Sequence, residues 1–373
     1  MNVGILTFHR AHNCGAMLQN YALQTVLRRL GAEPETIDFN AIGEERRFPR
    51  FSGLTFRQCI RRMIEFVLSV GTYDLRLARF NRFRRRNIKT TARIVTGELP
   101  LDFDFYVVGS DQVFQPNLVK QYRNEFLLEG ILPDKRISYA ASFGYDSLPE
   151  EFRVTYKNSL SQFRVISVRE ESGARIIKDE LGLTVPVEVV LDPTLLLDSS
   201  DYEKIETKVR VPKKYVLVYS IGGADGKLRE VANGIAQQMG AKVIFVNACR
   251  RSRFNTPHGD WLSVSPDRLV YLIRHADYVV TTSFHGVAFS LIYRRQFTAI
   301  IPKDSKVSGR VPDLLNRLGI PERAIQEDAQ PSAFLGQTDS LIDYDAVGRR
   351  LDELRKTSLA FLEKALDTLQ NRS

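Results

Sequence analysis

With 373 residues, 43% of them hydrophobic and 26% charged, the chain is too long for one small core and too apolar for a disordered one, so two globular domains are expected. Its 23 glycines and 15 prolines exclude collagen-like and low-complexity classes. The net charge of +9 is concentrated: residues 44–93 hold 14 Lys and Arg against 4 Asp and Glu, leaving 39 against 40 elsewhere, so one block and not the whole surface faces anions.

No run of about 18 apolar residues occurs, and a membrane-spanning helix is not expected. The opening MNVGILTFHRAHN lacks a basic leader, an apolar stretch and a small-residue cleavage site, so a cytoplasmic location is expected. Cys14, Cys59 and Cys249 are odd in number and far apart, which excludes a disulfide framework and a paired Cys-x-x-Cys zinc site.

In chain order, apolar runs at Val3–Phe8, Glu35–Asp38, Phe105–Val108, Arg136–Ala141, Arg164–Val168 and Val187–Val190 alternate with helical patterns. Most are continuous rather than alternating, the pattern of parallel strands covered on both faces, and this predicts an α/β doubly wound domain over 1–197. Inside it, 44–93 reads as a basic helical insertion, with Phe56, Ile60, Met63, Ile64, Val67 and Leu68 on one side of a helix over 55–87 and Arg57, Arg61 and Arg62 elsewhere. The polar stretch 198–212 has no strong period and reads as a linker. The same pattern restarts at Tyr215–Tyr219 and runs through Lys242–Val246, Tyr278–Thr281 and Phe297–Ile301, with helices over about 225–239, 266–275 and 286–294, predicting a second domain over 213–335. The tail, 340–373, sets Val347, Leu351, Leu354, Phe361, Leu362, Ala365, Leu366 and Leu369 on one helical stripe and is expected to pack back on the first domain.

Chemistry-bearing residues cluster where strands end and helices begin, the place at which doubly wound sheets bind ligands. The first strand leads into His9-Arg10-Ala11-His12-Asn13-Cys14-Gly15, a turn in which helix-start amides favour an anion and Gly15 allows close approach; an Asn13 cap is the bland alternative, and a metal at His9, His12 and Cys14 is a weaker one. Gly109-Ser110-Asp111-Gln112 puts a carboxylate, a general-base candidate, and an amide at a strand end, unless Asp111 merely caps the next segment. Arg169, beside Glu170 at a helix start, either serves an anion or pairs with Glu170. Thr281-Thr282-Ser283-Phe284-His285-Gly286 gathers hydroxyls, an imidazole and a glycine at one helix start, where a histidine can move a proton near neutral pH or simply cap. Downstream, Lys303, Lys306 and Arg310 in IPKDSKVSGR carry enough charge for a small polyanion, or are solvated surface.

Taken together, Asn13-Cys14-Gly15-Ala16-Met17-Leu18-Gln19-Asn20-Tyr21-Ala22-Leu23-Gln24, Gly109-Ser110-Asp111-Gln112-Val113-Phe114, Ser167-Val168-Arg169-Glu170, Asp192-Pro193-Thr194 and Ser283-Phe284-His285-Gly286 resemble the polysaccharide pyruvyl transferase family over about residues 1–320. The resemblance implies two Rossmann-like halves facing a cleft, as in GT-B glycosyltransferases. It also implies transfer of the enolpyruvyl carbons of phosphoenolpyruvate to two saccharide hydroxyls, as a pyruvate ketal with release of phosphate, in cell-surface polysaccharide biosynthesis. Such chemistry intrinsically requires no metal or redox cofactor. By the same resemblance Arg169 binds phosphoenolpyruvate, and His285 binds it or acts as the acid; Asp111 as base is the residue-level reading. Many members carry an arginine two residues before the histidine, where this chain has Ser283, and Arg310, or failing it Lys306, is expected to restore that charge.

Asn13, Gly15, Ser110, Gln112, Ser283 and Phe284 complete the expected binding set. A nucleotide-sugar glycosyltransferase of the same fold and a basic nucleic-acid-binding protein are the rival readings. The 44–93 segment is expected at an anionic inner membrane face or a lipid-diphosphate-linked saccharide, or as a flap over the cleft, and a homodimer through the terminal helix is open.

Overall fold

The computed structural model describes residues 1–39, 55–94, 99–119, 122–222, 224–248, 261, 264–303 and 309–367. Six strands form the first sheet: β1 (Asn2–Leu6), β2 (Glu33–Thr36), β3 (Phe105–Asp111), β4 (Arg136–Ala141), β5 (Val165–Val168) and β6 (Val187–Val189). Five form the second: β7 (Tyr215–Ser220), β8 (Lys242–Asn247), β9 (Tyr278–Thr281), β10 (Phe297–Ile301) and β11 (Ala324–Gln326). All pairings are parallel. β4, β7 and β9 are buried at every residue, which is why they read as unbroken apolar runs.

The sheet orders are β2-β1-β3-β4-β5-β6 and β8-β7-β9-β10-β11. They are the same doubly wound order, with the sixth strand added to the first sheet. Each order reverses at its first strand, so the crevices between β1 and β3 and between β7 and β9 are where helices diverge and a ligand can enter. The protein is thus a pair of Rossmann-like lobes facing a cleft.

Element bounds differ from expectation where caps decide them. The first helix begins at Cys14 because Asn13 caps it, and the helix expected from 286 begins at Phe284 because Ser283 caps it. β11 and the helix Arg310–Leu318 were not foreseen. The linker is not structureless: Ser199–Glu203 is a short helix whose Tyr202 is fully buried, stacking edge-on against Phe289 of the second lobe and hydrogen-bonding the Thr194 carbonyl of the first. One hydrophobic cluster runs from Leu18 and Tyr139 through Tyr202 to Leu217 and Phe289, so the lobes share a core beside the cleft.

The tail forms the helix Tyr344–Asp367. Its start lies on the second lobe, where Arg350 donates to the Leu318 carbonyl, and its later turns lie on the first, where Ser358 accepts from the Leu191 amide and Phe361 meets Tyr139. Leu369 lies outside the described residues. Of the basic segment, Phe56–Asn87 is one helix of 32 residues, while residues 44–54 and the side chains of Arg61, Arg62, Val67 and Leu68 lie outside the described residues.

Candidate functional site

The two crevices face each other across a cleft of about 690 Å³. The first lobe contributes Phe8, Asn13, Asp111 and Gln112; the second contributes Ser283, Phe284, His285 and Arg310, among others. Gln19 holds the first crevice in shape. Its Nε2 donates to Thr7 Oγ1 after β1, and its Oε1 accepts from the Ser110 amide at the end of β3.

His285 reaches across from the second lobe. Its imidazole packs on the backbone of Gly15, where a Cβ would fall 2.1 Å from Nδ1. The expectation that Gly15 admits a ligand is corrected: the space goes to His285. Nor are the amides of Gly15 and Ala16 available to an anion, because the Asn13 Oδ1 accepts from both, at 2.8 and 3.4 Å. Asn13 itself is exposed and lines the cleft.

Behind His285 stands Asp192, fully buried. Its Oδ1 accepts from the amide and hydroxyl of Thr194, and its Oδ2 accepts from Ser110 Oγ at 3.0 Å and Arg169 Nη1 at 2.8 Å, while His285 Nε2 lies 3.7 Å away. Burial alone would raise this carboxyl, but His285 and Arg169 hold it far below the usual range. Ser110 is therefore a buried support for Asp192 and does not line the cleft.

Arg169 pairs first with Asp192, not with Glu170, whose Oε2 is 3.8 Å from Nε. Its guanidinium also lies 3.5 Å from Asp111 and 4.5 Å over the Phe284 ring. Burial would weaken its hold on its proton, and the three carboxylates reverse that. Nε and Nη2 nevertheless have no hydrogen-bond partner among the described residues, nor has His285 Nε2. Buried donors without a hydrogen bond are costly, yet Arg169 itself is not among the residues that line the cleft; it stands behind Asp111 and Phe284, which are. Glu170 is raised by burial, against the pull of Arg169 and Arg310, and accepts from Ser142.

Asp111 takes a left-handed backbone (φ 77°), and its Oδ1 accepts from the Gln112 amide, so it does cap locally. Its Oδ2 makes no hydrogen bond among the described residues, and the side chain lines the cleft. Arg310 opens its own helix, half-buried in the cleft wall, with no hydrogen bond or ion pair among the described residues. Burial and the like charge of Arg169 push it down to about 10. Lys306 lies outside the described residues, and Lys303 is an exposed rim group 3.5 Å from Asp328.

Asp192 and Gln19 are the site residues that motif reading left without a role; their signal is burial of a polar group at a strand end, visible only in three dimensions. His9 and Cys14 turn to different partners, Asp38 and the Val264 carbonyl. Among the described residues no three His, Cys, Asp or Glu side chains are grouped to hold a metal ion, and no helix is long and apolar enough to cross a membrane.

A family model described as polysaccharide pyruvyl transferase matches residues 13–304. No curated protein matches the sequence. Among solved structures, a putative UDP-N-acetylglucosamine 2-epimerase from Listeria monocytogenes aligns over 100% of this chain and 97% of its own at 10% identity and a TM-score of 0.51, a likeness of fold alone. A glycosyltransferase from Rickettsia africae (9% identity, 99% and 97% covered, TM-score 0.48) and a UDP-GlcNAc 2-epimerase from Methanocaldococcus jannaschii (11%, 92% and 93%, 0.48) are also similar.

Proposed function

The chain belongs to the polysaccharide pyruvyl transferase family, and we propose that it moves the enolpyruvyl carbons of phosphoenolpyruvate onto two hydroxyls of a saccharide, forming a pyruvate ketal and releasing phosphate. The observation that carries this reading is Arg310, a cation in the same cleft wall as His285, without a hydrogen bond or ion pair among the described residues. A half-buried guanidinium that no hydrogen bond or ion pair among the described residues satisfies is costly, and a trianionic donor is the kind of ligand that offsets the cost. It also answers the missing arginine at Ser283.

In this mechanism Arg310 grips phosphate and carboxylate, and Arg169 adds its positive charge from behind Asp111 and Phe284 in the cleft wall. His285 gives a proton to the methylene carbon, and the first hydroxyl oxygen bonds to the adjacent carbon while its proton passes to Asp111 Oδ2. Phosphate departs with the electron pair of its C–O bond, and the second hydroxyl closes the ketal. Two hydroxyl protons are released; one replaces the proton spent on the methyl group and the other leaves on phosphate. The balance closes without a redox cofactor, and catalysis rests on charges held in place beforehand, Asp192 fixing both Arg169 and His285.

The test is phosphate release from phosphoenolpyruvate across a panel of saccharides, with NMR detection of the new methyl group on the sugar. Phosphate release that depends on an acceptor, collapses in His285→Ala and demands more phosphoenolpyruvate in Arg310→Ala is the expected result. Turnover of a nucleotide sugar, with phosphoenolpyruvate inert, would overturn it.

A further inference from the structure

The helix Phe56–Asn87 presents two unlike halves. At about 100° per residue, Arg76, Phe80 and Phe83 share one side, and all three are buried: Arg76 donates to the His12 carbonyl in the loop that lines the cleft, and Phe80 meets the His12 ring. The opposite side carries Phe56, Ile60, Met63 and Ile64 in the first turns, within an arc of about 100°, and Arg82, Arg85 and Arg86 in an overlapping arc further along. Phe56 is 80% exposed, the other three apolar side chains are also exposed, and so are the three arginines.

A soluble helix normally turns its apolar stripe toward the body of the protein. This one is anchored by the other side. The outward face therefore joins an apolar patch to a row of arginines, the combination that fits the headgroup zone of an anionic bilayer, apolar side chains inserted and guanidiniums on phosphates. No helix among the described residues can span a membrane, so the contact would be peripheral.

We propose that this face docks the protein on an anionic lipid surface, lying in the plane of the interface and bringing the loop at His12, and with it the cleft, to the membrane. The arginine row favours an anionic lipid surface over a second copy of the chain, because lipid phosphates supply a counter-charge to all three guanidiniums at once. The inference is independent of the reaction proposed above, and its test reads binding rather than turnover.

The experiment is co-sedimentation of the full chain with vesicles of phosphatidylcholine, with and without phosphatidylglycerol. The wild type is expected to pellet with the anionic vesicles only, and to be released at about 1 M salt, where charges are screened beyond ~3 Å. Combined Arg82→Ser, Arg85→Ser and Arg86→Ser substitutions should weaken partitioning about fivefold for each arginine, or about a hundredfold in all. Phe56→Ser with Ile60→Ser should weaken it at low salt with the thermal unfolding midpoint unchanged, since neither side chain is packed in the core. Wild-type protein left in the supernatant, or Phe56→Ser with Ile60→Ser converting a dimer to a monomer while leaving vesicle binding intact, overturns the proposal.

Discussion

A Cβ on Gly15 would stand 2.1 Å from the Nδ1 of His285, so the absence of a side chain in one lobe fixes the imidazole of the other. Gly15→Ala should push the ring back by about an ångström, and misplacement on that scale costs about a hundredfold in rate. Stability should fall by only about 1–3 kcal/mol, the usual range for overpacking. Phosphate release and thermal unfolding measured side by side check both; unchanged turnover would show that the ring's position is immaterial.

Arg310 supports no hydrogen bond or ion pair among the described residues, so its removal should not weaken the fold. Arg310→Ala is predicted to raise the Michaelis constant for phosphoenolpyruvate by about tenfold or more, the worth of a charge-assisted hydrogen bond, while the unfolding midpoint holds or rises. Ser283→Arg combined with Arg310→Ala should recover part of the lost affinity, less about 1 kcal/mol of stability for the helix cap that Ser283 provides.

Asp192→Asn removes the anion between Arg169 and His285. Breaking a buried pair in this way is expected to cost about 3–5 kcal/mol in urea unfolding and to abolish most activity. The sign with pH follows from the depressed carboxyl. Its stabilisation is complete above the ordinary value of 3.8 and drains away as pH falls below it, so wild type and variant should converge in acid. A stability gap that widens on acidification would refute this.

Asp313 is pushed the other way, up to about 6, by burial and by Glu171 and Glu170, against Arg317. A raised acid binds its proton more tightly in the folded state, so its contribution is most favourable below pH 3.8 and is lost as pH rises through 6. Asp313→Asn should therefore stabilise the protein at pH 7, by about 1 kcal/mol after solvent screening, with the gain vanishing near pH 4. Chemical denaturation at the two pH values decides it.

The sheets were legible because buried parallel strands write themselves as continuous apolar runs, and β4, β9 and β10 keep their expected limits. β11, only three residues long, leaves too little pattern to find. The strand-end motifs were legible for the same topological reason that places ligands there. What stayed hidden was partnership over distance. Arg169 has an acid beside it in sequence, yet its nearest carboxylate is Asp192, 23 residues on, because the chain must return along β6 before the two meet. Gly15 and Ser110 read as ligand contacts, but their space and hydroxyl serve His285 and Asp192. Arg310 read as loop charge, since the helix it opens is preceded by a polar run that masks its period.

The tail helix does more than cover a surface. The chain passes between lobes twice, and the crossings lie side by side, with Arg355 donating to the carbonyls of Leu195 and Leu197. Two adjacent straps tie the lobes together along one margin of the cleft, so any parting of the lobes is restrained there and would be largest far from it. Asp192 sits three residues before Leu195. Its contacts with Arg169 and His285 therefore lie beside the margin that the straps hold, the part of the cleft least able to change its spacing.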